Sequence, residues 1–263
     1  MILANSLYLM AIVVMSIGGV VTKTLKISGA IAAIVIGCFV YLAFQWQGLL
    51  LIGSFFITSS FWSKYKSSKK QMLEQKLAKS AQRDWQQVLA NGGAAAFFSL
   101  CYLFGATEVW FYAFLASICA SNSDTWASEI GTLSKKQPYS LLTFKRVETG
   151  TSGAISMLGL FAGITGSFVI VLIAMLIGEV NGWGVLMLIG IAGFIGNFID
   201  TLLGAYVQAE YKCDVCGIKT EQTFHCGQKA TLQKGVAWMN NEMVNLMSSL
   251  LPGLAVGFIC FYF

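Results

Sequence analysis

Along the chain, long apolar runs alternate with short polar connections, without the strict period-2 alternation of half-buried strands. A helix that crosses a bilayer needs about 17 to 25 mostly apolar residues. Eight segments read as such spans: Ile2–Thr22, Ile27–Phe44, Gly48–Trp62, Val88–Phe104, Val109–Asn122, Gly153–Ile177, Gly184–Val207 and Met243–Phe263. The third and fifth are the shortest of these. Backbone polar groups in lipid must be bonded within the segment, so these runs predict helices and argue against a barrel. The expected fold is an all-α polytopic membrane protein of about eight transmembrane helices.

Composition supports this and narrows the class. Hydrophobic residues make up 56% of the chain and charged residues 11%, less than half the roughly 25% typical of a soluble domain. Mean hydropathy is +0.70. Soluble globular, disordered, collagen-like and nucleic-acid-binding classes are excluded. The amino terminus carries no Lys or Arg ahead of its apolar run and no A-x-A site, so it reads as a first span and not as a cleaved signal.

Charge then orients the spans. All 17 Lys and Arg residues fall in the connections after spans one, three, five and seven. The positive-inside rule makes that side cytoplasmic and places both termini outside. The opposite connections are short and carry Glu108 and Glu179. The net charge of +5 therefore reflects topology and gives no reason to invoke nucleic acid. The expected location is the plasma membrane of a bacterium. The organisation reads as one membrane domain, 1–263: amino-terminal spans (1–63), a basic loop (64–87), and a helical core (88–263) with cytoplasmic loops at 123–152 and 208–242. In the basic loop, Leu73, Leu77, Ala81 and Trp85 recur at helical spacing, which suits a helix lying on anionic lipid. Ordinary positive-inside charge on a solvated helix gives the same composition.

Polar residues beyond those topology needs mark candidate chemistry, because ionisable groups at membrane depth are costly. The densest segment is Ser121–Gly131. If the helix of span five continues through it, Asp124 and Ser128 share a face with Thr125 and Glu129. Two carboxylates and two hydroxyls suit Mg²⁺, which takes one or two carboxylates plus substrate phosphates; a capped helix end in water is the alternative. A second cluster in span seven holds Asn197 and Asp200 between Gly196 and Gly204. A carboxylate so placed needs a proton, a cation or a packing partner. Both clusters contain Asp-Thr at the inward end of a hairpin, so spans four–five and six–seven suggest a parallel repeat that brings Asp124 and Asp200 together.

Three more stretches reach the same layer. Arg83 and Asn91 enter span four. Lys145 and Arg146 precede the turn Thr149-Gly150-Thr151-Ser152-Gly153, where N–H groups at the start of span six would meet phosphate. This turn lacks the P-loop pattern. Asn240, Asn241 and Asn245 crowd the start of span eight, more amides than capping requires. In the last loop, Cys213, Cys216, His225 and Cys226 are spaced C-x₂-C-x₈-H-C, which either closes a structural Cys₃His zinc site or leaves reduced cytosolic thiols.

Taken together, Arg83–Gly92, Ser121–Gly131, Thr149–Gly153 with Ser156, Gly196–Gln208, Cys213–Cys226 and Asn240–Asn245 resemble an integral-membrane family that includes the plant phytyl-phosphate kinase of tocopherol synthesis. The resemblance spans roughly residues 80 to 250, and its most specific string is Asp-Thr-Trp-Ala-Ser-Glu-Ile-Gly at 124–131. It implies a kinase that converts an isoprenoid monophosphate to the diphosphate with a nucleoside triphosphate, CTP or ATP. Residue roles follow from chemistry. Asp124, Glu129 and Asp200 are expected to hold Mg²⁺. Arg83, Lys145 and Arg146 would neutralise phosphate charge. Asn91, Asn197, Asn241, Asn245 and the Thr149–Gly153 turn would orient the phosphates, with the prenyl tail between helices. Two other readings stay open at this point: a secondary transporter or channel with Asp124 and Asp200 as ion sites, and a nucleotidyltransferase that forms a CDP-lipid.

Overall fold

The computed structural model describes residues 2–65, 82–180 and 182–262, and the side chains of residues 2–5 are left aside. The proposed surface helix of the basic loop lies largely outside these residues. Among them the chain forms seven helices: α1 (Ile2–Val21), α2 (Ile27–Lys64), α3 (Trp85–Gly105), α4 (Glu108–Gly131), α5 (Met157–Leu176), α6 (Trp183–Tyr206) and α7 (Asn241–Tyr262). Five of them, all but α1 and α4, are long and apolar enough to cross a membrane by length and composition; α1 contributes a shorter apolar stretch, Ser6–Val21. The protein is a mostly helical polytopic membrane protein.

The count differs from eight because spans two and three are one element. Helix α2 is interrupted at Gln45, whose φ of 51° and ψ of −145° leave the helical region. The chain doubles back there: a Cβ on Gly48 would lie 2.8 Å from Val40 Cγ1, although eight residues of straight helix span about 12 Å. Lys64 Nζ accordingly donates to Thr22 O (2.5 Å), bringing the end of α2 back beside its beginning.

Helix α4 is the axis of the bundle, buried without a break from Ala113 to Ser123. Its neighbours approach through small residues. A Cβ on Gly193 of α6 would lie 2.4 Å from Cys119 Cβ, and one on Gly166 of α5 would lie 3.1 Å from Asn122 O. With no hydrophobic drive between helices in lipid, such close packing and interhelical hydrogen bonds hold the bundle. Asn122 Nδ2 donates to Gly166 O (2.7 Å), Ser123 Oγ to Gly163 O (2.8 Å) and Ser167 Oγ to Gly190 O (2.7 Å). Replacing Gly196 by Ala is expected to destabilise the protein by about 1–3 kcal/mol through overpacking, because its Cβ would meet Ala120 Cβ at 2.5 Å and Ser248 O at 2.7 Å. Gly184→Ala, which meets nothing within 4 Å, is the control, and thermal unfolding in detergent compares the two.

The suggested repeat is not borne out. Helix α4 is enclosed on all sides, whereas α6 exposes Met187, Ile191 and Ile195 along one side, so the hairpins α3–α4 and α5–α6 occupy unequal environments. The all-α expectation also needs correction outside the helices, where the backbone is free to pair with itself. Strands β1 (Tyr139–Ser140) and β2 (Ala154–Ile155) form an antiparallel pair. The loop before α7 holds β3 (Glu210–Lys212), β4 (Lys219–Thr220), β5 (Phe224–His225), β6 (Gln228–Lys229) and β7 (Thr231–Lys234). β4, β3 and β7 make a three-stranded antiparallel sheet, and β5–β6 is a hairpin.

Candidate functional site

The helix of span five runs on to Gly131, nine residues past its apolar stretch, so Asp124, Thr125, Ser128 and Glu129 are all helical. They open into a polar cavity of about 410 Å³ beneath the loops. Asp124 and Asp200 both line its wall, close enough for each carboxyl group to feel the charge of the other. Ser248 Oγ donates to Asp200 Oδ2 (3.2 Å). The Asn245 amide, turned with its nitrogen toward the carboxylate, donates to the same oxygen (3.0 Å). Among the described residues, no Lys or Arg forms an ion pair with either aspartate. Two adjacent carboxyls therefore face the cavity with hydroxyl and amide support and, among the described residues, without a cation paired to them.

The cation of the site is Arg83, held from both sides. Its N–H donates to Thr24 O (3.0 Å) and its carbonyl accepts from Lys26 N (2.9 Å). A Cβ on Gly29 would press against that carbonyl, so a glycine is needed where α2 passes. The guanidinium donates to Ser60 Oγ (3.4 Å) and Ser63 Oγ (3.2 Å). Ser63 in turn donates to Glu129 Oε1 (2.6 Å). Burial pushes the Arg83 pKa down and the Glu129 carboxylate raises it in compensation. Glu129 is thus engaged with Ser63 and Arg83. Beyond Arg83, α3 starts with a capping box: Asp84 accepts from Gln86 N and Gln87 N, and Gln87 Oε1 accepts in turn from Asp84 N.

Other expected residues reach the same cavity. Asn91, Thr149, Gly150, Thr151, Ser152, Asn197, Asn241 and Asn245 all line it. The turn is not itself the start of a helix, however. β2 intervenes, and α5 begins at Met157 with Ser156 as its cap, Oγ accepting from Gly159 N (3.0 Å). The turn reaches the site because Gly153, at φ +74°, packs on Ala205 of α6 where a Cβ would overlap at 2.4 Å. Of the crowded asparagines, Asn240 caps α7, accepting from Met243 N (3.0 Å), while Asn241 and Asn245 face the cavity.

Lys145 and Arg146 are not among the cavity residues. Their segment folds back on β1, where Arg146 Nε donates to Tyr139 OH (3.2 Å) and the guanidinium lies 5.5 Å from that ring's centre. The cavity also has polar residues beyond the sequence candidates, among them Gln87, Gln208, Ser63 and Glu221. Gln87 lies within the motif around Arg83, Gln208 ends the motif in α6, and Ser63 and Glu221 carry no local signal. Ser152 Oγ donates to Gln208 Oε1 (2.7 Å), and Gln208 Nε2 donates to Glu221 Oε1 (2.8 Å). The Glu221 charge is felt at Asp200, so a third carboxylate stands near the aspartate pair.

A second cavity of about 410 Å³ adjoins the first. It is apolar and half open, bordered by α1, both arms of α2 and α3, with Ile12, Ile36, Leu49 and Phe56 in its walls. Arg83, Gln87 and Asn91 line both cavities. A charged space and a hydrocarbon space thus share one polar partition. Away from both, Cys213, Cys216, His225 and Cys226 converge, their ligand atoms all within 4.8 Å of one another.

No solved structure matches this chain. Among curated proteins, it is 29% identical to Protein PGR of Arabidopsis thaliana, over 91% of this chain and 90% of that one. It is 32% identical to an uncharacterized membrane protein of Methanocaldococcus jannaschii, over 89% and 84%. It is also 27% identical to Protein VTE6, chloroplastic, of Arabidopsis thaliana, over 88% of this chain and 63% of the relative. Residues 10–253 match the family described as integral membrane protein DUF92, a range that takes in α2 to α6 whole, parts of α1 and α7, and every residue of the polar cavity. The chain belongs to that family.

Proposed function

We propose that the protein is an isoprenoid-monophosphate kinase, transferring the terminal phosphoryl group of CTP or ATP to a prenyl phosphate. The observation that carries this reading is the pair of cavities sharing Arg83, Gln87 and Asn91. A molecule suited to both has an anionic head and a hydrocarbon tail, and a space of this size lies within the range of small-molecule pockets. Membership of an integral-membrane family agrees with a substrate drawn from the bilayer.

The chemistry needs no general base, since the acceptor is already an ionised phosphate. Its oxygen attacks the terminal phosphorus, the bond to the bridging oxygen breaks, and the nucleoside diphosphate leaves with the electron pair. Catalysis then rests on positioning and charge neutralisation. The carboxyls of Asp124 and Asp200, which form no ion pair among the described residues, fit Mg²⁺, which when bound would neutralise nucleotide phosphate charge. Arg83 would bind the acceptor phosphate at the partition, held in place by Ser60, Ser63 and Glu129. Asn91, Asn197, Asn241 and the Thr149–Gly153 turn would orient the phosphates, and Asn245 and Ser248 would fix Asp200. The apolar cavity would take the first isoprene units. We place the polar cavity on the cytoplasmic side of a bacterial plasma membrane, following the positive-inside rule, with both arms of α2 crossing to give eight passages.

Purified protein in detergent, given prenyl monophosphates of graded length, Mg²⁺ and each of four triphosphates, tests the reading. Formation of prenyl diphosphate, abolished by chelating Mg²⁺, is expected. Turnover of no acceptor, with ion flux that depends on Asp124 in liposomes, would sink it.

A further inference from the structure

The segment from Gln208 to Asn240 is too poor in apolar contacts to hold its own shape. Its buried hydrophobic cluster consists of Ala209, Tyr211 and Ala230, while Val215, Ile218, Phe224 and Leu232 are exposed. Modules this small ordinarily need a disulfide or a metal as a staple. All of its cysteines are free thiols, and they converge with the one histidine of the chain.

The local geometry is that of a metal knuckle. Gly217 N donates to Cys213 O (2.8 Å) and Cys213 N to Ile218 O (3.0 Å), closing a tight turn over Cys213–Cys216, with Gly217 at φ +72°. His225 and Gln228 pair across the β5–β6 hairpin, whose two turn residues, Cys226 and Gly227, have φ of 50° and 77°. Such a turn favours Asn-Gly, and a cysteine in its left-handed first position is costly unless its sulfur has a task. Here the turn brings Cys226 Sγ to 3.2 Å from His225 Nδ1, while Cys216 Sγ lies 3.5 Å from the same nitrogen. Ligands at about 2.3 Å for sulfur and 2.0–2.1 Å for nitrogen around tetrahedral zinc are spaced by similar distances. The buried Cys213 supplies the third sulfur.

We propose that Cys213, Cys216, His225 and Cys226 bind one structural zinc ion, and that this clamp holds Glu221 at the rim of the polar cavity. The route is short. β3 runs into Cys213 and β4 follows Cys216, with Tyr211 opposite Thr220 and Lys212 opposite Lys219. Glu221 comes directly after β4, where Gln208 binds it and links it to Ser152 of the phosphate-facing turn. All four protein ligands are accounted for, so the metal has no open position and takes no part in transfer. The role given to Glu221 rests on the kinase reading; the metal does not.

The test uses full-length protein purified in detergent under reducing, zinc-replete conditions. Elemental analysis is expected to find about one zinc per chain, falling to background in Cys213→Ser/Cys216→Ser and persisting in His225→Cys. Cobalt in place of zinc should show the ligand-field bands of tetrahedral thiolate coordination. Hydrogen exchange should then report loss of protection over residues 208–234 on metal removal, with the helices unchanged. Wild-type protein that holds neither zinc nor cobalt, or that is protected by a disulfide, overturns the site. Zinc whose removal leaves exchange at 218–223 unchanged overturns the clamp. Zinc present in a protein that phosphorylates no lipid contradicts the kinase reading and leaves the metal site standing.

Discussion

Replacing Asp200 by Asn is expected to lower phosphoryl transfer by roughly 10³-fold while leaving the fold at least as stable as the parent. The two effects diverge for one physical reason. Asp124 and Asp200 sit together in the cavity wall with no Lys or Arg among the described residues to pair with them. Without a bound cation the pair is repulsive, so removing one charge relieves strain in the resting protein, and Asn still accepts from Ser248 and can meet Asn245. During transfer the same charge is needed to hold Mg²⁺. Asp124→Asn should behave alike, and the double variant should lose little more than either single one, as groups acting as a unit do. Thermal unfolding with and without Mg²⁺, beside turnover, gives the check. Mg²⁺ should raise the melting temperature of the parent and leave that of the variants unmoved. A large loss of stability in Asp200→Asn would show that the pair serves packing.

The second large effect concerns Arg83. Arg83→Ala is expected to lower kcat/KM for the lipid acceptor by about 10²–10³-fold, and to destabilise the protein by about 2–3 kcal/mol, below the figure for a fully buried pair because the site is part-open. The stability loss comes from Glu129, left facing Ser63 without its cation. Pairing Arg83→Met with Glu129→Gln should therefore restore most of the stability and none of the activity. Lysine should rescue poorly, since one ammonium cannot reach Ser60, Ser63 and a phosphate in the way the guanidinium fork can. Full activity in Arg83→Ala would remove the acceptor phosphate from the partition between the cavities.

Much of this architecture is legible in the chain because lipid is an unforgiving solvent. A run such as Trp183–Tyr206 must be a helix, and an Asp inside it must have a reason. That logic pointed to Asp124 and Asp200, and the helices bring them together although the hairpins that carry them are no repeat. The juxtaposition depends on close approach at Gly193 and Gly196, which local pattern leaves unspecified. The reversal at Gln45 is equally hidden, since a polar Gln-Trp-Gln connection and a tight break in one helix read alike. In the loops the constraint disappears. Lys145 and Arg146 carry the right charge for phosphate, yet β1–β2 pairing turns Arg146 onto Tyr139. Glu221 lies among unremarkable polar residues and reaches the site through tertiary contacts alone.

The central claim is that a phosphoryl group, and not a nucleotidyl group or an ion, passes to a lipid phosphate in the polar cavity. Parallel reactions with nucleoside triphosphate labelled at the terminal or at the innermost phosphate, prenyl monophosphate and Mg²⁺ address it most directly. The account predicts prenyl diphosphate carrying the terminal label and none of the innermost label, with the product lost in Asp200→Asn. Innermost label in the lipid, or an unlabelled lipid with both donors, would contradict it.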